Sequence, residues 1–359
     1  VGAYLPKAAS LLAATVVLCL LTFTAAANER GVCVLLGDTD GSRALKFARE
    51  TEFTIYSQLP DAQSVERVRR LADAAGLLNS RIYVERGPLS HIGLADNLAD
   101  RLIVCSGNVP DAEVLRVLQP RATAMVGDRR LTKPALDGAD DWSHPYHGPD
   151  NNPLSRDKIA RAPYLTQFLA DPRYAPLPQV AVASAGRIFK AFGHIAFKER
   201  EEPWLDTLVA FNGYNGTLLW RRQLPSGLMV HRNTIIATPD TLFFGDDKSC
   251  KLLDPATGQL RDEITVPEER PGSTFWKWMA LDSGVLYALI GEQELRDPVL
   301  RTKSERHGWP WYPLSPGYNA KELVWGFGHT LYAINPQTKE VLWRYRENEP
   351  IDSRALCLR

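Results

Sequence analysis

"TLVAFNGYNGTLLWRRQLP", residues 207–225, runs from an apolar-rich strand through an Asn/Gly turn into a second strand that reaches a tryptophan. "CKLLDPATGQLRDEITVP" (250–267) and "TLYAINPQTKEVLWRYREN" (330–348) repeat that order. Strand periodicity around a turn led by Asn or Asp reads as a β-hairpin. Gly216 and Gly258 hold the same turn position, 42 residues apart, and Lys339 stands there in the third copy. A tight hairpin turn favours positive φ, which Gly adopts freely and Lys poorly, so the third turn is expected to be looser. Trp220 and Trp343 fall at matching places in the second strand. The 42-residue spacing is the length of a four-stranded propeller blade.

Working upstream, "AVASAGRIFKAFG" (181–193), "TIIATPDTLFFGDD" (234–247) and "WKWMALDSGVLYALIG" (276–291) supply a preceding strand pair for each unit. Residues 179–359 therefore read as about three all-β blades, with insertions at 196–206 and 292–322 as loops. "HGWPWYP" in the second insertion offers aromatics for a surface groove. The chain closes on "IDSRALCLR", the expected opening of a further blade, so a truncated C-terminus is expected.

The first half has a different grammar. "VCVLL" (32–36) is a continuous apolar run, as in strands buried on both faces of a parallel sheet. "GDTDGS" turns it into a helical stretch, "FTIY" (53–56) is a second strand, and Asp61 stands ready to cap a helix with its stripe at Val65, Val68, Leu71, Ala72 and Ala75. "RIYV" (81–84), "DRLIVC" (100–105) and "TAMVG" (123–127) are further strands, and "DAEVLRVLQP" is a helix ended by Pro120. This alternation predicts a Rossmann-like, doubly wound parallel α/β domain over 28–135.

Ahead of it, Lys7, the apolar run Ala8–Phe23 and Ala25-Ala26-Ala27 form the grammar of a secretory signal peptide over 1–27. An uncleaved membrane anchor is the rival reading. Either places the bulk of the protein in the periplasm or cell envelope. The chain carries 42 Lys+Arg against 42 Asp+Glu with no one-sign block, which speaks against a nucleic-acid partner. Its five cysteines form no CxxC or adjacent pair, so neither a zinc ribbon nor a redox motif is present.

The first domain resembles class I S-adenosylmethionine (SAM)-dependent methyltransferases through the strand–Gly37-Asp38-x-x-Gly41 turn, "SVERVRRLADAAGLLNSRIYV", "ADRLIV" and "VLRVLQP", over roughly 31–133. The resemblance implies a cofactor turn at Gly37, Asp38 and Gly41, with Asp61 the nearest acid for the ribose. It is degenerate. "SQLP" (57–60) holds no acid where the family puts one, and Pro120-Arg121-Ala122 replaces the usual Pro-Gly-Gly. The later repeats resemble the PQQ-like (quinoprotein-type) β-propeller repeat. Dehydrogenases of that kind hold pyrroloquinoline quinone against an adjacent-cysteine disulfide, together with calcium. Without adjacent cysteines, non-catalytic BamB-type members are the closer comparison.

Between the halves, "DDWSHPYHGPDNNP" (140–153) lies in a junction spanning 136–178. His144, His147 and Asp150 are its candidate metal ligands, for zinc or calcium. The alternative is an irregular connection fixed by side-chain-to-backbone bonds, with Trp142 and Tyr146 pinning it to a domain. The whole combination resembles large exported proteins of Planctomycetes-type bacteria. The expectation is an exported binding or scaffolding protein with a protein or small-molecule partner of the envelope. A quinone-dependent dehydrogenase and a SAM-dependent methyltransferase are the alternatives.

Overall fold

The computed structural model describes residues 29–163, 166–173, 175–196, 198–228, 233–294 and 326–358. The expected signal peptide and the aromatic "HGWPWYP" insertion lie outside the described residues. Among the described residues, no helix is long and apolar enough to cross a membrane.

The first domain comprises β1 (Arg30–Leu36), α1 (Ser42–Glu50), β2 (Glu52–Leu59), α2 (Ala62–Ala74), β3 (Ile82–Arg86), β4 (Ala99–Val104), α3 (Asp111–Val117), β5 (Leu118–Val126) and β6 (Arg129–Thr132). Its sheet order is β3-β2-β1-β4-β5-β6. The first five strands run parallel and β6 returns antiparallel. Successive residues of β1 point to opposite faces: Cys33 and Leu35 enter the core under α1 and α2, while Val34 and Leu36 enter the core with α3. Both faces are thus buried, the reason for the unbroken apolar run.

The β3-to-β4 crossover is irregular, with Ile92 as its fully buried anchor. One expectation is corrected. The third helix ends at Val117, and Pro120 lies inside β5 instead of terminating the helix. Leu118 turns extended there and is fully buried, and the β4–β5 register slips between Ala99 and Arg101. Pro120 falls at the resulting bulge, where its missing N–H costs no ladder bond.

The second half forms three four-stranded antiparallel sheets, stacked like propeller blades. The first holds β7 (Leu177–Ser184), β8 (Arg187–Ile195), β9 (Thr207–Asn212) and β10 (Leu218–Gln223). The second holds β11 (Ile235–Ala237), β12 (Leu242–Gly245), β13 (Cys250–Leu253) and β14 (Leu260–Ile264). The third holds β15 (Phe275–Asp282), β16 (Val285–Gly291), β17 (Phe327–Ile334) and β18 (Val341–Asp352). Alternation decides what each residue faces. Ile235, Ala237, Leu242 and Phe244 pack with the first blade, whereas Ile236 and Phe243 pack with the third. The innermost strands β7, β11 and β15 lie beside one another.

The repeated turn explains the sequence repeat. Asp254 Oδ1 accepts from Ala256 N and Thr257 N, and Asn335 Oδ1 accepts from Gln337 N and Thr338 N. In each turn the N–H at the glycine position donates back to that Asn or Asp carbonyl, at 2.9 Å from Gly216, 2.8 Å from Gly258 and 2.7 Å from Lys339. Lys339 adopts φ 62°, beside 74° at Gly216 and 70° at Gly258. The third turn is therefore not looser, because the side-chain-anchored turn imposes left-handed backbone on a lysine.

Candidate functional site

The carboxyl ends of β1 and β4 form the crevice where doubly wound sheets bind ligands. Gly37 leaves β1 there, and a Cβ on it would lie 2.5 Å from both Ser106 O and Ser106 Oγ. That hydroxyl donates to Gly37 O at 2.7 Å, bridging the two strand ends. Gly41 stands at the start of α1, where a Cβ would meet Leu71 and Val68 of α2 at 3.0–3.3 Å. Asp38 is buried, its Oδ2 accepts from Ala44 N at 2.9 Å, and burial pushes its carboxyl upward. Asp40 Oδ1 accepts from Ser42 N. The chain's own carboxylates thus take donors at the start of α1.

Asp61 caps α2, accepting from Ser64 N at 2.8 Å. The end of β2 instead presents Gln58, which is 1% exposed. Its Nε2 donates to Pro88 O and His91 O, each at 2.8 Å, and its Oε1 accepts from Tyr56 Oη and Gly93 N. All four hydrogen-bonding positions of the amide are spent on its own strand and the loop after β3. A ribose at the end of β2 would find no acid on the strand itself and no free amide, and the nearest carboxylate, Asp61, is engaged through Oδ1 as the cap of α2. The donor set does not fit SAM.

The junction's candidate metal ligands do not converge. Leu281 N donates to His144 Nε2 at 3.1 Å, which leaves the ring proton on Nδ1, facing Ser143 Oγ at 2.8 Å. Burial lowers the His144 pKa to about 4, so the ring is neutral at pH 7. His147 Nε2 lies 2.7 Å from Asp140 Oδ2, and its ring packs edge-on to Trp142. Asp150 Oδ1 accepts from Asn152 N. Among the described residues, no three His, Cys, Asp or Glu side chains gather as a metal-sized group.

The stretch instead laces the blades together. Trp142 exchanges backbone bonds with Ala183 of β7, Ser143 O accepts from Ala237 N of β11, and His144 takes Leu281 N of β15. Those three residues each lie just before the first hairpin turn of their blade. Asn151 Nδ2 also donates to Leu356 O, and Leu358 N to Pro149 O. This path escapes sequence reading because the partners are backbone groups that carry no residue signature.

The repeat residues define the blade seams. A Cβ on Gly258 would lie 2.6 Å from the Trp220 indole, whose Nε1 donates to Pro255 O at 3.1 Å. Gly216 is covered likewise by Phe168 of the junction, 2.5 Å from a Cβ placed there. Trp343, at the matching place in the third blade, is 48% exposed.

A further site, missed by the sequence reading, joins the two halves. Asp100, at the amino end of β4, accepts through Oδ1 from Gln119 Nε2 and Asn212 Nδ2. Its Oδ2 accepts from Asn215 Nδ2 and Val32 N. Burial pushes this carboxyl upward, against the four donors that hold it down. Asn212 and Asn215 are the "NGYNG" turn of the first blade, so the blade docks at the end of the sheet opposite the crevice.

Residues 193–306 match the family described as outer membrane protein assembly factor BamB. The match spans the second blade and parts of both neighbours. Comparison with curated proteins gave no match. Solved structures similar to part of the chain include a Methanococcus maripaludis protein described as an S-adenosyl-L-methionine-dependent methyltransferase. It is 23% identical, covering 27% of this chain and 48% of that one, at a TM-score of 0.26. An Aquifex aeolicus SAM-dependent methyltransferase is 18% identical, with 29% and 62% covered and a TM-score of 0.24. Geranyl diphosphate C-methyltransferase from Streptomyces coelicolor is 11% identical, with 27% and 38% covered and a TM-score of 0.25. This chain spans less than two thirds of each of them. The α/β sheet with BamB-matching blades behind it is the architecture of this chain.

Proposed function

We propose that the chain is an exported, envelope-associated binding or scaffolding protein whose blades are the interaction platform and whose α/β domain is a non-catalytic mount. The observation that carries this reading is the set of three stacked four-stranded blades, of which residues 193–306 match the outer membrane protein assembly factor BamB family. The partner is a protein or small molecule of the envelope.

The spent amide of Gln58 and the Ser106 bridge over Gly37 support an α/β domain that binds no methyl donor. The innermost strands are laced by residues 142–144, and Cys33, Cys105, Cys250 and Cys357 are free thiols, which speaks against a quinone seat. Export is supported by the signal grammar and by the envelope family that the blades match.

The test joins three measurements on the full chain. Fractionation should place it in the envelope. A photo-crosslinking residue at position 260, exposed on the outer strand of the second blade, should give a discrete adduct there, while one at Lys46 on α1 should give none. Calorimetry with SAM should show no saturable heat. Saturable SAM binding abolished by Gly37→Leu would establish the methyltransferase reading instead, and quinone- and calcium-dependent dye reduction would establish the dehydrogenase.

A further inference from the structure

A groove of about 560 Å³ runs between the α/β domain and the first two blades. Its walls are the β5 bulge at Pro120–Ala122, the β7–β8 turn at Ala185–Arg187, and turns of the second blade at Pro239, Asp240 and Ala256. Two guanidinium groups line it. Neither the Arg121 nor the Arg187 guanidinium has a hydrogen-bond or ion-pair partner among the described residues. Arg187 is partly buried, and burial, with the charge of Arg121 beside it, pulls its pKa down against the opposing charges of Asp254 and Asp240.

Arg121 carries a second cost. It sits at φ 70°, in left-handed backbone that glycine would adopt freely. A strained non-glycine residue that delivers an unpaired charge to a groove points to a ligand-binding role. The neighbouring acids leave these cations available. Asp100 is satisfied by four donors, Asp141 accepts from Ser184 Oγ and Ala185 N, and Asp254 is paired with Arg261. Asp240 stands exposed at the rim. Tyr214, packed against Gly186, and Leu219 add aromatic and aliphatic surface.

The geometry points to a binding site for a small organic anion, with Arg121 and Arg187 gripping its carboxylate or phosphate and the Tyr214–Leu219 wall taking its apolar part. Guanidinium forks match both headgroups, so this chemistry is shared between the two sources. The site is formed only when both halves of the chain are docked.

The full chain is titrated calorimetrically with succinate and, separately, with inorganic phosphate, at ionic strength held constant with sodium chloride. Saturable binding of either probe is expected, and the tighter one identifies the headgroup. Arg187→Met should weaken it about tenfold or more, the loss expected for a charge-assisted pair. Arg121→Gly should weaken it similarly while raising the melting temperature, because glycine relieves the left-handed backbone. Arg130→Gln, on exposed β6, should bind as the parent does. Absence of saturable binding by both probes, or unchanged affinity in Arg121→Gly and Arg187→Met, would overturn the site.

Discussion

Asp262 of β14 and Lys339 of the β17–β18 turn meet at 2.5 Å, in the positions that Trp220 and Gly258 occupy one seam earlier. The first two blades each offer the residue four places after the turn glycine position to the turn of the next blade. In the first seam that residue is an indole, and the turn is stripped to glycine to receive it. In the second it is a carboxylate, and the turn supplies an ammonium group. The lysine in a left-handed position, an anomaly in one repeat alone, is half of a substituted pair.

Lys339→Gly removes the ion pair and relieves the backbone. Both partners are about half exposed, so the pair contributes under about 1 kcal/mol, and the relief is about 1 kcal/mol. The variant should be as stable as the parent or slightly more so. Lys339→Ala keeps the strain and loses the pair, so it should lose up to about 1 kcal/mol. Urea midpoints of the two variants measured side by side check the sign.

Gly258→Ala places a Cβ 2.6 Å from the Trp220 ring on a residue at φ 70°. Steric overlap and left-handed strain together should cost about 2–4 kcal/mol. In a double-mutant cycle with Trp220→Leu the two changes should couple, since the smaller side chain vacates the contested space. Additive losses in urea denaturation would show that the indole does not set the glycine requirement.

His144 makes stability fall with acid. Its ring is neutral in the folded chain with a pKa of about 4, against about 6.5 when unfolded. Stability from this group is fully present above pH 6.5 and is lost as pH falls toward 4, by about 3 kcal/mol in all. The cause is structural: a protonated Nε2 cannot accept Leu281 N, and burial opposes the charge. His144→Gln should be less stable at pH 7 but lose less between pH 6.5 and 4, as read from denaturation curves at both ends.

The sequence carried the elements better than the seats. Apolar runs such as "VCVLL" and the repeated turns announce two-faced and blade strands, since burial of alternate residues writes a period into the chain. The Gly37–Gly41 turn was legible as a turn, but its use was not. Whether a glycine admits a cofactor, Ser106 or the side chains of α2 depends on residues far along the chain. His144 and His147 look like metal ligands for the same reason: residue type does not reveal that one ring accepts a backbone N–H some 137 residues away. Arg121 was visible only as a departure from Pro-Gly-Gly, and Arg187 gave no signal at all.

The lock at Asp100 yields the last prediction. Asp100→Ala would leave Gln119, Asn212, Asn215 and Val32 N without their shared acceptor at a buried contact between the halves. Buried donors stripped of a charged partner cost about 3 kcal/mol, and here that loss falls on the interface instead of on either core. The blades have their own apolar cores between sheets, and the α/β sheet has one on each face, so both can outlast the contact. Thermal unfolding of Asp100→Ala, followed by calorimetry, should therefore separate into two transitions where the parent shows a more concerted one. Hydrogen exchange should rise first at residues 212–217 and 98–100. A single transition, shifted down but undivided, would mean that another contact fastens the first blade to the sheet.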